Sequence, residues 1–158
     1  GTTGVTGPTG AGSIVTDVRL AADVSHSVTT TWGTVFTVPS TASKTHVLRV
    51  MLAASSSVAG GAVQLMVTSA DANLGWCTFR SMGTASAAEF DNLIIAASGN
   101  ETGQTTWLPA VTIPGVIAVE CTWRADASPQ PVVLAIQPEV AGTATARAGS
   151  FYELVVAP

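Results

Sequence analysis

Apolar and polar residues alternate along much of the chain, which is the pattern of β-strands that bury one face. The clearest example is His46–Ala54, in which Leu48, Val50 and Leu52 occupy every second position. The period of two recurs at short, regular intervals and predicts about ten strands. These are Ile14–Leu20, Trp32–Val38, His46–Ala54, Val63–Val67, Trp76–Ser81, Phe90–Ala97, Thr105–Leu108, Val116–Arg124, Val132–Gln137 and Phe151–Val156.

Turn-forming residues separate the predicted strands, and no long segment has the period of a helix. The short Ala-rich segment Gly83–Glu89 is predicted to be a loop. Many short strands without helices predict an all-β chain, an antiparallel β-sandwich with the jelly roll as the expected arrangement. The turn signals are Pro39-Ser40, Ala59-Gly60-Gly61, Asp71 to Gly75, Ser98-Gly99-Asn100, Pro114-Gly115, Ser128 to Pro131 and Ala141-Gly142.

The first twelve residues follow a different rule, because glycine recurs at every third position. Gly1, Gly4, Gly7 and Gly10 keep this register until Ser13 interrupts it. A collagen triple helix requires that spacing, since only glycine fits at the axis where three chains meet, although Gly/Thr-rich segments also serve as flexible linkers. We expect residues 1–12 to be the end of a collagen-like stalk that continues upstream, and residues 13–158 to be a β-sandwich head.

The repeat is too short and too poor in proline to assemble unaided. Pro8 is its one imino acid, so little of the stiffening that favours the polyproline conformation is present. We therefore expect the head to bring three chains into register, making the protein a homotrimer. Composition agrees, since 47% of the residues are apolar and 10% are charged, against roughly 25% charged in ordinary soluble domains. Sister chains would cover part of such an apolar surface.

The charge of the chain argues against a nucleic-acid partner, and the two cysteines leave two pairing states open. The net charge is -4, and the one lysine and five arginines are scattered, so we do not expect nucleic-acid binding. No apolar run is long enough to insert into a membrane as a helix. Cys77 and Cys121 lie in apolar runs far apart in the chain, and we expect buried free thiols, with a disulfide as the alternative that the sequence leaves open.

No catalytic or metal-binding motif is found, so we expect neither an enzyme nor a cofactor. His26 and His46 are interpreted as surface or strand-end residues rather than metal ligands. The segment Asp71–Gly75 is interpreted as a polar turn, because the glutamate that would close a calcium loop is replaced by Met82. The carboxylates lie mostly near turns or strand ends, where solvation explains them.

The four tryptophans are candidates for sugar binding, since indole rings stack on sugars. Trp32, Trp76 and Trp123 fall in predicted strands and are expected to pack in the core or between subunits. Trp107 follows a polar loop whose amide and carboxylate groups could bind hydroxyls. The sequence therefore predicts a ligand-facing loop with Asn100, Glu101, Gln104 and Trp107.

A Gly-X-Y segment leading into an all-β head resembles the C-terminal end of collagen-containing bacteriophage fibre proteins, and more loosely the trimeric heads of the tumour-necrosis-factor and C1q type. The segment Asp17–Val67, with Phe36-Thr37-Val38-Pro39 and Gly60-Gly61-Ala62-Val63 within it, looks like a module of phage structural proteins, and Ala148–Val156 looks like its closing strand.

This resemblance implies a structural or host-attachment role in a virion. The partners would be other copies of the chain, other virion proteins through the stalk, and a host-surface glycan or protein. Two alternatives stay open, a purely structural capsid fibre or decoration protein, and the head of a bacterial surface or spore-coat filament.

Overall fold

The computed structural model describes residues 13–58, 61–69, 74–82, 90–95 and 115–158. These residues form eleven β-strands and no helix, which confirms the all-β prediction for this part of the chain. The strands are β1 (Ile14–Arg19), β2 (Val24–His26), β3 (Gly33–Val38), β4 (Thr45–Ser56), β5 (Val63–Ser69), β6 (Leu74–Met82), β7 (Phe90–Ile95), β8 (Gly115–Arg124), β9 (Val132–Pro138), β10 (Ala144–Ala146) and β11 (Phe151–Val156).

The strands form two sheets, and all of their pairings are antiparallel. The larger sheet has the order β1-β11-β4-β8-β6-β7, with β10 joining β4 to the short strand β2. The smaller sheet has the order β3-β9-β5. Buried side chains from both sheets belong to one hydrophobic cluster, so the two sheets share a core. This arrangement is consistent with a β-sandwich.

Strand β4 shows why the sequence pattern was informative. Its inward residues Leu48, Val50 and Leu52 are fully buried, whereas Arg49 and Met51 between them are exposed, as the alternation predicts. Strand β5 alternates in the same way between buried and half-buried positions. Strands with one buried face therefore follow the period of two closely.

The predicted strands that fall within the described residues are all present, with ends shifted by up to two residues. Strands β2 and β10 were not predicted, because three residues are too few to display an alternation. The turn assigned to Asp71–Gly75 is wrong at its end, where Leu74 and Gly75 already belong to β6. The predicted strand Thr105–Leu108, the predicted loop Gly83–Glu89 and the turn signal Ser98–Asn100 lie outside the described residues.

Gly75, the second residue of β6, lies opposite Trp123 of β8. A Cβ atom on Gly75 would lie 2.5 Å from the Cβ of Trp123 and 2.5 Å from the carbonyl oxygen of Thr122. The absence of a side chain lets β6 pair closely with β8 at this position. Trp123 then stacks on the fully buried ring of His46, with centroids 4.8 Å apart and planes 8° from parallel.

The expectation of free thiols is wrong, because Cys77 and Cys121 form a disulfide. The two residues are direct cross-strand partners in β6 and β8, with their Cα atoms 4.1 Å apart, and both are fully buried. Antiparallel partners that do not exchange hydrogen bonds lie about 4.5 Å apart, which is close enough for a bridge. A spacing of 44 residues gives no hint of this register.

Polar contacts hold the short strand β10 and the segment before β2. The Arg147 guanidinium donates hydrogen bonds to the Asp23 carboxylate at 2.8 Å and to the Ser55 hydroxyl at 2.7 Å. The Ala148 amide also donates to Asp23 at 2.8 Å. The hydrogen bond from the Ala148 amide has the larger effect on the pKa of the Asp23 carboxyl, and the bond from Arg147 the next. Both lower this pKa, because they favour the charged form.

We expect the disulfide to be a major source of stability. Replacing both cysteines by alanine should lower the free energy of unfolding by about 4 kcal/mol, because the bond closes a loop of 44 residues and restricts the unfolded chain. Urea denaturation at a fixed protein concentration measures the change. Wild-type protein treated with a phosphine reductant serves as the control and should match the double variant. A loss below about 1 kcal/mol would contradict the disulfide as a major source of stability.

We also expect the stability to fall at mildly acidic pH because of His46. Its Nε2 accepts a hydrogen bond from the Thr41 amide at 2.9 Å. Burial lowers the pKa of the His46 imidazole from its ordinary value of 6.5, and the backbone carbonyls of Lys44 and Trp123 offset this in part. At higher pH the ring is neutral in both states. Below about 6.5 the unfolded chain takes up a proton that the folded chain resists, so unfolding is favoured.

The expected slope of the unfolding free energy from His46 is at most about 1.4 kcal/mol per pH unit. Urea titrations at several pH values should show it in the wild type and in a His26→Gln variant. The His46→Gln variant should lose it, since an amide oxygen can accept the Thr41 bond without titrating. An unchanged slope in His46→Gln would assign the pH dependence to other groups.

Candidate functional site

The predicted ligand-facing loop lies outside the described residues. This applies to Asn100, Glu101, Gln104 and Trp107, and equally to the triple-helix glycines Gly1, Gly4, Gly7 and Gly10. Both assignments stay predictions. Within the described residues, no group of three or more His, Cys, Asp or Glu side chains is placed to hold a metal ion. That part of the chain also holds no helix long and apolar enough to cross a membrane.

The tryptophans in strands do not share one environment. Trp123 is buried in the core, as expected, and its indole donates to the Ser40 hydroxyl at 3.2 Å. Trp32 is half-buried and lies just before β3. Trp76 is 50% exposed, which contradicts a core position, and the expected alternative of packing between subunits stays a prediction. Its neighbour Cys77 takes the inward position, because successive side chains of a strand point to opposite faces.

Trp76 belongs to a solvent-facing surface of the larger sheet, which we call the outer face. Cross-strand pairing across β1, β11, β4, β8 and β6 arranges its side chains in three rows. The first row is Val15, Val155, Val47, Thr122 and Trp76; the second is Asp17, Glu153, Arg49, Glu120 and Thr78; the third is Arg19, Phe151, Met51, Ala118 and Arg80.

Two largely apolar rows therefore flank a charged one. In the charged row, Arg49 lies between two carboxylates, with nitrogen–oxygen distances of 3.9 Å to Glu120 and 3.6 Å to Glu153. In the third row, the Arg19 guanidinium lies 4.9 Å from the centre of the Phe151 ring, its cross-strand partner. These contacts hold the charged groups close to the sheet.

A groove of about 600 Å³ lies on the outer face and spans β11, β4, β8 and β6. Trp76, Met51 and Phe151 give it apolar walls, and Arg49 and Glu120 give it polar ones. The outer side of an antiparallel sheet is usually polar when it faces water. An exposed indole and an exposed thioether in one groove are instead typical of a surface that binds another apolar surface.

The outer face was missed in the sequence because its rows join residues from five strands. A partial signal was present in β4, where Val47, Arg49 and Met51 fill the outward positions and two of the three are apolar. In β8, Glu120 points outward between the buried residues Val119 and Cys121. The register between strands decides which outward residues become neighbours, and no single strand contains that information.

We expect the charged row to contribute little to the stability of the single chain. Arg49→Ala should change the free energy of unfolding by less than about 1 kcal/mol, because its ion pairs are solvent-exposed. Arg147→Ala is the matched comparison and should cost more, since it removes the guanidinium donor of the buried Ser55 hydroxyl and leaves the Asp23 carboxylate with the Ala148 amide alone of its two donors. Urea denaturation at low protein concentration measures both. Equal losses would contradict this distinction.

Comparisons with known proteins give no match. No protein-family model, no curated protein and no solved structure matches this chain. The fold and the outer face are therefore the observations on which a functional proposal rests.

Proposed function

We propose that this chain is the non-enzymatic, homotrimeric head of a collagen-like virion fibre, with residues 1–12 as the stalk end and residues 13–158 as the head. Its role is to cap the stalk and to attach the virion to a host surface. The proposal depends most on one observation, the junction between the glycine repeat and the first strand. The glycine register stops at Ser13, and β1 begins at Ile14 on the edge of the sheet that bears the apolar outer face.

The strand pairings favour the jelly roll for this head. In an eight-stranded jelly roll, the first strand pairs with the eighth, the second with the seventh, the third with the sixth and the fourth with the fifth. We take β2, β6, β7 and β10 as strands added to the eight. The pair β1–β11 is then the first with the eighth, β3–β9 the second with the seventh, and β4–β8 the third with the sixth. The predicted strand Thr105–Leu108 has the right place in the chain to be the fifth and to pair with β5.

Trimer formation follows from the energetics of the two parts. Three chains joined by so short a repeat lose more conformational entropy than four triplets can recover. A head with an apolar surface supplies the missing free energy when copies cover each other's surface. The low charged fraction of 10% fits a chain of which much of the surface is shared with its copies.

Light scattering on the purified chain tests the trimer. The measured mass should be three times that of one chain, and a chain that starts at Ser13 should give three times its own mass, because the head drives assembly. A monodisperse monomer at micromolar concentration would refute the proposal. Dissociation of the shortened chain alone would place the assembly nucleus in the stalk.

Attachment is tested separately with a glycan array and a binding assay on candidate host cells, each using the trimeric protein. Binding to either supports the attachment role. Binding to neither would overturn it and leave a purely structural fibre or decoration role.

A further inference from the structure

We infer that in the assembled protein the outer face of each copy packs against the β1 edge of the next copy around a threefold ring. This rests on the proposed trimer and names its interface. The first observation is that the outer face is incomplete in a single chain. Trp76 is 50% exposed and Met51 is 36% exposed in the same groove. A large aromatic side chain beside an apolar groove is a common anchor of protein interfaces.

The second observation is an apolar patch on β1 that the smaller sheet does not cover. Ile14 pairs with Val156, and Val18 pairs with Tyr152, so Ile14 and Val18 point to the core side of the larger sheet. Val156 and Tyr152 are buried there, yet Ile14 is 65% exposed and Val18 is 36% exposed. We call Ile14 and Val18 the β1 edge. It continues the inward-facing surface beyond the limit of the core.

Two different patches on one chain are what a closed ring of three requires. A twofold dimer uses the same patch on both copies, whereas a cyclic trimer joins one patch to a second patch on the next copy. The outer face and the β1 edge lie on opposite sides of the larger sheet, so one copy cannot bring them together. A neighbouring copy can.

The stalk indicates that the occupant is another copy rather than an unrelated protein. The glycine register runs to the residues just before Ser13, and β1 begins one residue later. Because consecutive residues advance the chain by at most about 3.6 Å, chains that meet at the end of a triple helix hold their β1 strands close together. Each β1 edge therefore begins beside a neighbouring copy.

The charge distribution supports contact between copies. On the outer face, the three carboxylates Asp17, Glu120 and Glu153 are balanced by three arginines, two of which flank Phe151 and Met51 in the third row. The whole net charge of -4 consequently lies on the rest of the chain. Copies can approach through this surface without net repulsion, and its mixed charges would favour one register over others.

Single substitutions on the full chain test the two patches. Trp76→Glu on the outer face and Ile14→Glu on the β1 edge should each raise the trimer dissociation concentration at least about tenfold, because each buries a charge in an apolar contact. Val140→Glu is the matched control, since Val140 is 41% exposed and belongs to neither patch. It should leave the dissociation concentration unchanged. Sedimentation velocity measures all three, and circular dichroism verifies that each variant is folded.

Mixing the two variants tests the head-to-tail arrangement directly. Each variant should be monomeric alone at a concentration at which the wild type is a trimer. An equimolar mixture should contain a dimer of one copy of each, because the intact outer face of Ile14→Glu can bind the intact edge of Trp76→Glu. If Ile14→Glu alone stays a trimer, the β1 edge is not part of the interface and the inference is wrong.

Fluorescence of the wild-type trimer gives an independent measurement. Acrylamide should quench the wild-type trimer no more than a Trp76→Phe trimer, because Trp76 is covered. If acrylamide quenches the wild-type trimer strongly and the Trp76→Phe trimer weakly, Trp76 is open to solvent. That result would overturn the inference. A monomeric wild type refutes the proposed trimer itself. A trimeric wild type whose Trp76→Glu variant is also trimeric refutes this interface alone.

Discussion

The antiparallel pairing of β4 with β8 is the interaction on which the rest of the structure depends. It joins ten residue pairs without a shift in register and stands at the centre of the larger sheet. A shift of one residue would turn every inward side chain of one strand to the outside. The pairing therefore determines the core, the His46–Trp123 stack and the rows of the outer face together.

The two sides of this sheet are stabilised in different ways. On the inner side, Leu48, Val50 and Val119 pack against the smaller sheet, and the Cys77–Cys121 disulfide ties β6 to β8. Among the described residues that side is covered within one chain, except at the β1 edge. On the outer side, Trp76 and Met51 remain exposed around an open groove. The described part of the chain thus has a largely covered inner face and an outer face with exposed apolar side chains, which fits the proposed role as one protomer of an assembly.

The proposed fibre head uses this asymmetry. In the proposed assembly, the stalk would contribute little free energy of association, but the triple helix would keep three β1 strands near one axis. The head would contribute the apolar area of the outer face. The junction at Ser13 places β1 next to the stalk, so the two weak contributions would act on the same contact.

The sequence by itself determined the fold class, most of the strands and the inward side of each, because a period of two in β4 or β11 directly reflects one buried face. It also contained the glycine register of Gly1 to Gly10, which no described residue tests. It could not locate β2 or β10, whose three residues are too short to alternate.

The tertiary structure decided which residues meet. It brought Cys77 to Cys121 across 44 residues, and it placed Gly75 opposite Trp123 where a turn had been predicted. It also turned Trp76 outward beside Met51 and Phe151. In each case the sequence specifies positions along one strand, whereas neighbours across a sheet depend on the register between strands, which hydrogen bonding and core packing set only when the whole chain folds.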